Sequence, residues 1–179
     1  MNSTSKKYNL PPRTAMEVFE MLPEGTLAEV INNVIYMSPA PSFDHQDVLG
    51  NLHTTMNMFV REHRLGKCII APLDVFFDDR NALQPDIVFI TNQNMHIVKD
   101  GKVKGAPDLI VEVLSPGNKK HDTERKKPIY EKHGVREYFI IDPRTADVFA
   151  YYLVDGKYVK QESMKGKVKS KLLGKTFSF

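Results

Sequence analysis

The segment Pro107-Asp108-Leu109-Ile110-Val111-Glu112-Val113-Leu114-Ser115-Pro116 constrains this chain more than any other. From Leu109 to Leu114 it is apolar at every position except Glu112, and prolines bound it at both ends. A short apolar run between turn formers reads as a buried strand. A carboxylate in the middle of such a strand is costly to bury unless a cation or hydrogen bonds compensate. The plain account of Glu112 is an ion pair with a lysine or arginine of the following helix, tying helix to sheet. The chemical account is a functional acid.

The remaining chain supplies layers to cover such a strand. At 179 residues, 41% hydrophobic and 26% charged, it supports one domain with a sizeable core and excludes fibre and coiled coil. Residues 1–12, polar and ending in Pro11-Pro12, read as a flexible tail before a single domain over 13–179. Thr14 and Glu17 form a capping-box pattern for a short helix carrying Ala15, Val18, Phe19 and Leu22, which Pro23 and Gly25 close. Two strands over 27–31 and 34–37 flank Asn32-Asn33, a turn pair that tolerates positive φ. Asp44 is the expected cap of a long helix over 45–64, with Val48, Leu52, Met56, Phe59 and Val60 on one stripe. Three β-type runs follow, Cys68–Phe77, Asp86–Ile90 and Asp108–Leu114. A charged helical segment over 119–133 ends at Gly134, and Tyr138–Ile141 is another buried strand. A last hairpin pairs Val148–Val154 with the chain from Tyr158 onward. Between 156 and 175, seven lysines face one acid, Glu162, which suggests a solvated edge or tail.

Charge and cysteine content narrow the setting. With 25 basic and 22 acidic residues the net charge is +3, too small to prove a nucleic-acid partner. The single cysteine, Cys68, cannot form an internal disulfide. No apolar run approaches the roughly 18 residues of a membrane span. Residues 1–7 lack the apolar stretch of a signal peptide. The expectation is a cytoplasmic protein with no membrane partner.

Nucleotide-loop, zinc-protease, paired-cysteine and serine-hydrolase signatures are all missing, and the six histidines show no ligand-like spacing. The acids attached to strands remain. Asp86, after Pro85, opens one apolar strand, and Glu112 lies inside another. Two carboxylates from neighbouring strands suit Mg²⁺, which takes oxygen ligands and keeps waters or substrate phosphate in its other positions. Such an arrangement serves phosphodiester cleavage. Taken alone, Asp86 is equally a turn former beside a proline. Asp108 stands about 13 Å from Glu112 along the strand and is a less obvious ligand for the same ion.

The succession of a long helix, three strands bearing Pro85-Asp86 and Glu112, a basic helix and a further strand resembles the PD-(D/E)XK, or restriction-endonuclease-like, fold. Met37-Ser38-Pro39-Ala40-Pro41 with His45, Pro107 through Pro116, and Gly134-Val135-Arg136-Glu137-Tyr138 to Asp142-Pro143 resemble a widespread bacterial family classed as restriction-type endonucleases, formerly a domain of unknown function. The resemblance runs from about residue 14 to 175. It implies an α/β core of αβββαβ order, a central mixed sheet flanked by helices, with an added N-terminal helix and hairpin and a C-terminal hairpin.

Carried onto this chain, the resemblance makes Asp86 and Glu112 metal-binding acids, with Mg²⁺ as cofactor and Mn²⁺ as possible substitute. The fold's usual lysine would stand at position 114, which is Leu114. In this family it comes from the following helix, where the pattern Asp122, Lys126, Tyr130 makes Lys126 the catalytic lysine and Lys127 the fallback. Lys126 would orient water and offset charge growing on the phosphate. Without the resemblance, a lysine in a run of five bases is simply solvated. The resemblance also brings Glu29, as a further acid of the site, and His45, near the scissile phosphate, into the catalytic set; a surface strand acid and a helix-entrance polar residue are their plain alternatives. Asp108 would stand behind the ligands or open its strand. Lys119, Lys120 and Arg125 would neutralise DNA phosphates, and the lysine-rich end would widen that footprint. The implied function is Mg²⁺-dependent DNA endonuclease, with a homodimer serving the two strands. Leu114 and Pro128 keep open a catalytically silent nucleic-acid-binding module on the same fold, and RNA or a smaller phosphodiester would leave the site unchanged.

Overall fold

A computed structural model describes residues 11–115, 120–162 and 164–179. The expected tail falls outside these up to residue 10. Helix α1 (Ala15–Phe19) carries the capping box: the Glu17 amide donates to the Thr14 hydroxyl at 3.1 Å, and the Thr14 amide donates to the Glu17 carboxylate at 3.3 Å. It closes at Glu20, short of Leu22, because the Met21 and Leu22 amides turn back to Val18 and Phe19 in a tightened last turn. Strands β1 (Ala28–Ile31) and β2 (Val34–Met37) pair through Asn32 and Asn33, both left-handed at φ 51° and 64°.

Helix α2 (Phe43–Glu62) starts earlier than the expected Asp44 cap. Ser42, extended and preceded by Pro41, accepts the His45 amide instead, and Asp44 lies in the first turn, where its charge meets the positive helix end. Cys68–Phe77 is two strands, β3 (Gly66–Ile70) and β4 (Val75–Asp78), because Pro72 has no amide for a ladder and the chain changes sheet there. The short strands β5 (Asn81–Leu83), β7 (Val98–Lys99) and β8 (Lys102–Lys104) have too few residues to show a period. Between them lie β6 (Ile87–Thr91) and a 3-10 turn over Asn92–Ile97. Then come β9 (Leu109–Val113), helix α3 (Lys127–His133), β10 (Glu137–Ile141), β11 (Val148–Val154), β12 (Lys157–Gln161), β13 (Lys167–Ser170) and β14 (Lys175–Ser178).

The main sheet has the order β12-β11-β10-β9-β6-β3, with β9 and β10 parallel and the other neighbours antiparallel. Both central strands are buried at every position. Alternation divides β9 between two cores. Val111 and Val113 pack with Leu49, Leu52, Met56 and Val60 of α2. Ile110 and Leu114 pack with Ile129 and Tyr130 of α3 and with Val75, Leu83 and Val103 of a second sheet, ordered β2-β1-β5-β4-β8-β7. Glu112 shares the parity of Ile110 and Leu114. The lysine-rich end is no loose tail: β12 is a lysine-bearing sheet edge, but β13 and β14 pair with each other and bury Val168, Leu173 and Phe177 in the core beneath α2.

Candidate active site

Three acids converge on one ammonium, and a fourth lines the same cleft. Lys126 Nζ stands 2.9 Å from Glu29 Oε1 on β1, 3.0 Å from Glu112 Oε1 on β9, and 3.4 Å from Asp122 Oδ1 one turn earlier. Asp86, just before β6, joins the same cleft: its Oδ2 accepts the Val113 amide at 2.7 Å and lies 3.2 Å from His45 Nε2 on α2. The sheet register produces this meeting, since β6 and β9 pair antiparallel with Ile87 opposite Val111, and one step further along that register Asp86 comes level with Glu112.

The segment before α3 explains how a lysine outside the strand reaches Glu112. Over His121–Lys126 the chain forms a wide turn in which the Lys127 amide donates to the Asp122 carbonyl. Pro128 follows near the start of α3 and supplies no amide donor to the helix. The expected helical segment over 119–133 is present over the described residues 120–133, π-helical at first and continuous with α3, a form frequent at functional sites. Tyr130, the next turn on, donates its hydroxyl to Glu112 Oε1 at 2.6 Å. Leu114, where the fold's usual lysine would stand, packs into the apolar core instead.

Glu29 is no surface acid. It is buried, accepts the Gln84 amide at 2.8 Å, and places Oε2 3.1 Å from His121 Nε2. His121 and Gln84 are partners that the sequence pattern does not reveal. The other candidates lie away from the acids. Asp108, at the opposite end of β9, accepts the Thr91 amide and the Asn94 side chain at 2.8 and 3.1 Å. Lys127 turns its ammonium onto the Tyr151 ring at 4.2 Å, away from the Lys126 position it would replace. Arg125 lies 4.8 Å over Tyr36, and Lys120 is exposed. Lys119 lies outside the described residues.

Burial governs the charge state. It raises Glu112 well above the ordinary carboxylate range; Lys126 opposes this, while Asp122, Asp86 and Glu29 reinforce it. Burial disfavours the Lys126 ammonium, but Glu112, Glu29 and Asp122 outweigh it and hold Lys126 well above the usual lysine range. Burial likewise opposes ionisation of Glu29, yet Lys126, His121 and the Gln84 amide bring its carboxyl down to about 2. Glu29 thus carries charge that balances Lys126, while burial works against the ionised form of Glu112.

Among the described residues no three His, Cys, Asp or Glu side chains form a ready-made cation cage. Paired carboxylates without such a cage suit a hard cation that keeps its own waters and a substrate phosphate, and the surplus of acids over lysine here has the sign such an ion requires. The cleft around these groups encloses about 490 Å³.

A family model described as "Uma2: Putative restriction endonuclease" matches residues 16–174. The chain belongs to this family. A solved structure, described as a putative nuclease belonging to DUF820 from Anabaena variabilis ATCC 29413, superposes with a TM-score of 0.74 at 21% identity, covering 91% of this chain and 92% of that one. The Uma2 chain therefore has the mixed α/β fold that its resemblance implied. No curated protein matches it. No helix among the described residues is long and apolar enough to cross a membrane.

Proposed function

We propose that the protein is a Mg²⁺-dependent endonuclease that hydrolyses DNA phosphodiester bonds in this cleft, with Asp86 and Glu112 as the metal-holding acids. The observation that carries the reading is Lys126, a buried ammonium 3.0 Å from Glu112 inside the cleft that Asp86 also lines. When bound there, Mg²⁺ or Mn²⁺ supplies positive charge to the phosphate and acidifies a coordinated water. The Val113 amide and His45 both engage Asp86 Oδ2, which leaves Oδ1 for a ligand. Tyr130 fixes Glu112 from behind, and Glu29 with Asp122 holds Lys126 in place. Lys126 donates hydrogen bonds to the attacking water or to the phosphate oxygen on which charge accumulates. Lys119, Lys120 and Arg125 draw in the DNA backbone. The reading extends to a cytoplasmic homodimer, whose twofold symmetry supplies two clefts for two strands.

Supercoiled plasmid incubated with Mg²⁺ or Mn²⁺ is expected to be nicked or linearised by the parent protein, and not by Asp86→Asn or Glu112→Gln variants that keep the parent's circular dichroism. A folded parent protein that shifts plasmid in a gel without ever cutting it would instead be a silent binding module.

A further inference from the structure

The cleft is lined by two unlike sets of residues. One is the charged set; the other is Pro39, Pro41, Leu49 and Pro72, with Ala40 and Ala71 between them. Phosphates and hydrated ions gain nothing from proline and leucine surfaces, whereas the face of a nucleobase or sugar does. The charged groups are also deep, Glu112 being 3% exposed and Lys126 5% exposed. In a duplex the bases are stacked inside, so an apolar pocket beside the reacting groups meets a base only where the strand leaves the stack.

The rim adds a second observation. Phe43 is 84% exposed although it opens a helix of 20 residues. Ser42, His45, Gln46 and Leu49 line the cleft. At 3.6 residues per turn Phe43 lies about 60° round the helix from Gln46, at the border of the lined face. Met37, 64% exposed at the end of β2, borders the other side of the proline segment in the chain. A ring left in water beside an apolar-lined cleft is placed to stack on a base, an interaction sequence-tolerant because every base has a π face.

We infer that the cleft takes an unpaired nucleotide of a DNA strand, its base against the proline lining and the adjoining base stacked on Phe43. This rests on the nuclease reading of the same cleft and adds the substrate class: DNA that is single-stranded, gapped or locally melted at the cut.

The test is binding, with no turnover required. Asp86→Asn protein is titrated into a single-stranded oligonucleotide carrying 2-aminopurine, and into the same oligonucleotide fully paired. The single strand is expected to bind at least about tenfold more tightly and to change its fluorescence. Phe43→Ala in the same background should weaken that binding by about 5- to 150-fold, the range for loss of one stacked base. Its melting temperature should match the parent's, since Phe43 is 84% exposed and contributes little to the core. Equal affinity for paired and single strands overturns the inference. So does a Phe43→Ala protein that binds the single strand unchanged, and a halved mass in sedimentation alongside would assign Phe43 to self-association. Failure of catalysis alone is separable: strand-selective binding by a parent protein that cuts neither plasmid nor the single-stranded oligonucleotide with Mg²⁺ or Mn²⁺ would sink the nuclease reading and leave the unpaired-nucleotide site standing.

Discussion

Lys126 Nζ lies 3.0 Å from Glu112 Oε1 across fourteen residues of chain, so the ammonium that compensates the buried strand acid comes from the turn before α3 rather than from β9. The same ammonium is 2.9 Å from Glu29. Removing it strands at least one buried carboxylate. Lys126→Met is therefore expected to cost about 3–5 kcal/mol in denaturant unfolding, the usual penalty for breaking a buried pair. Glu29→Gln combined with Lys126→Met should recover a large part of it. A single variant that loses under about 1 kcal/mol would show that the acids are not relying on Lys126.

Tyr130→Phe isolates one bond. The Tyr130 hydroxyl donates to Glu112 at 2.6 Å, and both side chains are almost wholly buried, so the phenyl ring keeps the packing and deletes only the donor. Loss of about 1–3 kcal/mol is expected, together with slower plasmid nicking because Glu112 is less firmly oriented. Unchanged unfolding midpoints would mean that water replaces the hydroxyl without penalty.

These two side chains also mark how far the sequence could be read. An acid interrupting an apolar β run announces Glu112, because period-two alternation and burial are local properties. That Lys126 rather than Leu114 faces it depends on a wide turn closed from Lys127 to Asp122, and only the family pattern pointed there. Glu29 reads as a half-exposed strand acid in Ala28-Glu29-Val30-Ile31, yet all four positions are buried. Its covering comes from distant parts of the chain, His121 and Lys126 among them, whose arrival no local pattern encodes. The break inside Cys68–Phe77 escaped for a related reason: both halves are good strands, and only the change of sheet at Pro72 separates them.

Acid should unfold the protein partly through Glu29. Its folded pKa is about 2, below the ordinary 4.5, so the unfolded chain binds more protons between these values. The stability Glu29 contributes is complete above about pH 4.5 and is lost as pH falls toward 2. Glu112 has the opposite sign: raised by burial, it favours the folded state at low pH and loses that contribution as pH rises through its elevated pKa. Thermal melts across pH 2 to 5 should therefore give a flatter curve for Glu29→Gln than for the parent. A parallel drop in both would assign the acid limb to other carboxylates.

The lysine-rich C-terminal end gives the last expectation, because charge pattern and packing disagree there. Lys167, Lys169 and Lys175 face solvent, but the alternate positions Val168 and Phe177 are buried, and the Phe177 ring meets Phe59 of α2 edge-on at 5.7 Å. Glu137 on β10 accepts the Ser170 hydroxyl at 2.6 Å and the Leu172 amide at 2.8 Å, fastening the hairpin to the main sheet. Removing a buried aromatic from such a site leaves a cavity that the neighbouring strands and helix fill only in part. Phe177→Ala should cost about 3–5 kcal/mol, whereas Lys169→Gln should stay within about 0.5 kcal/mol. A Phe177→Ala protein as stable as the parent would return this segment to the status of a solvated tail.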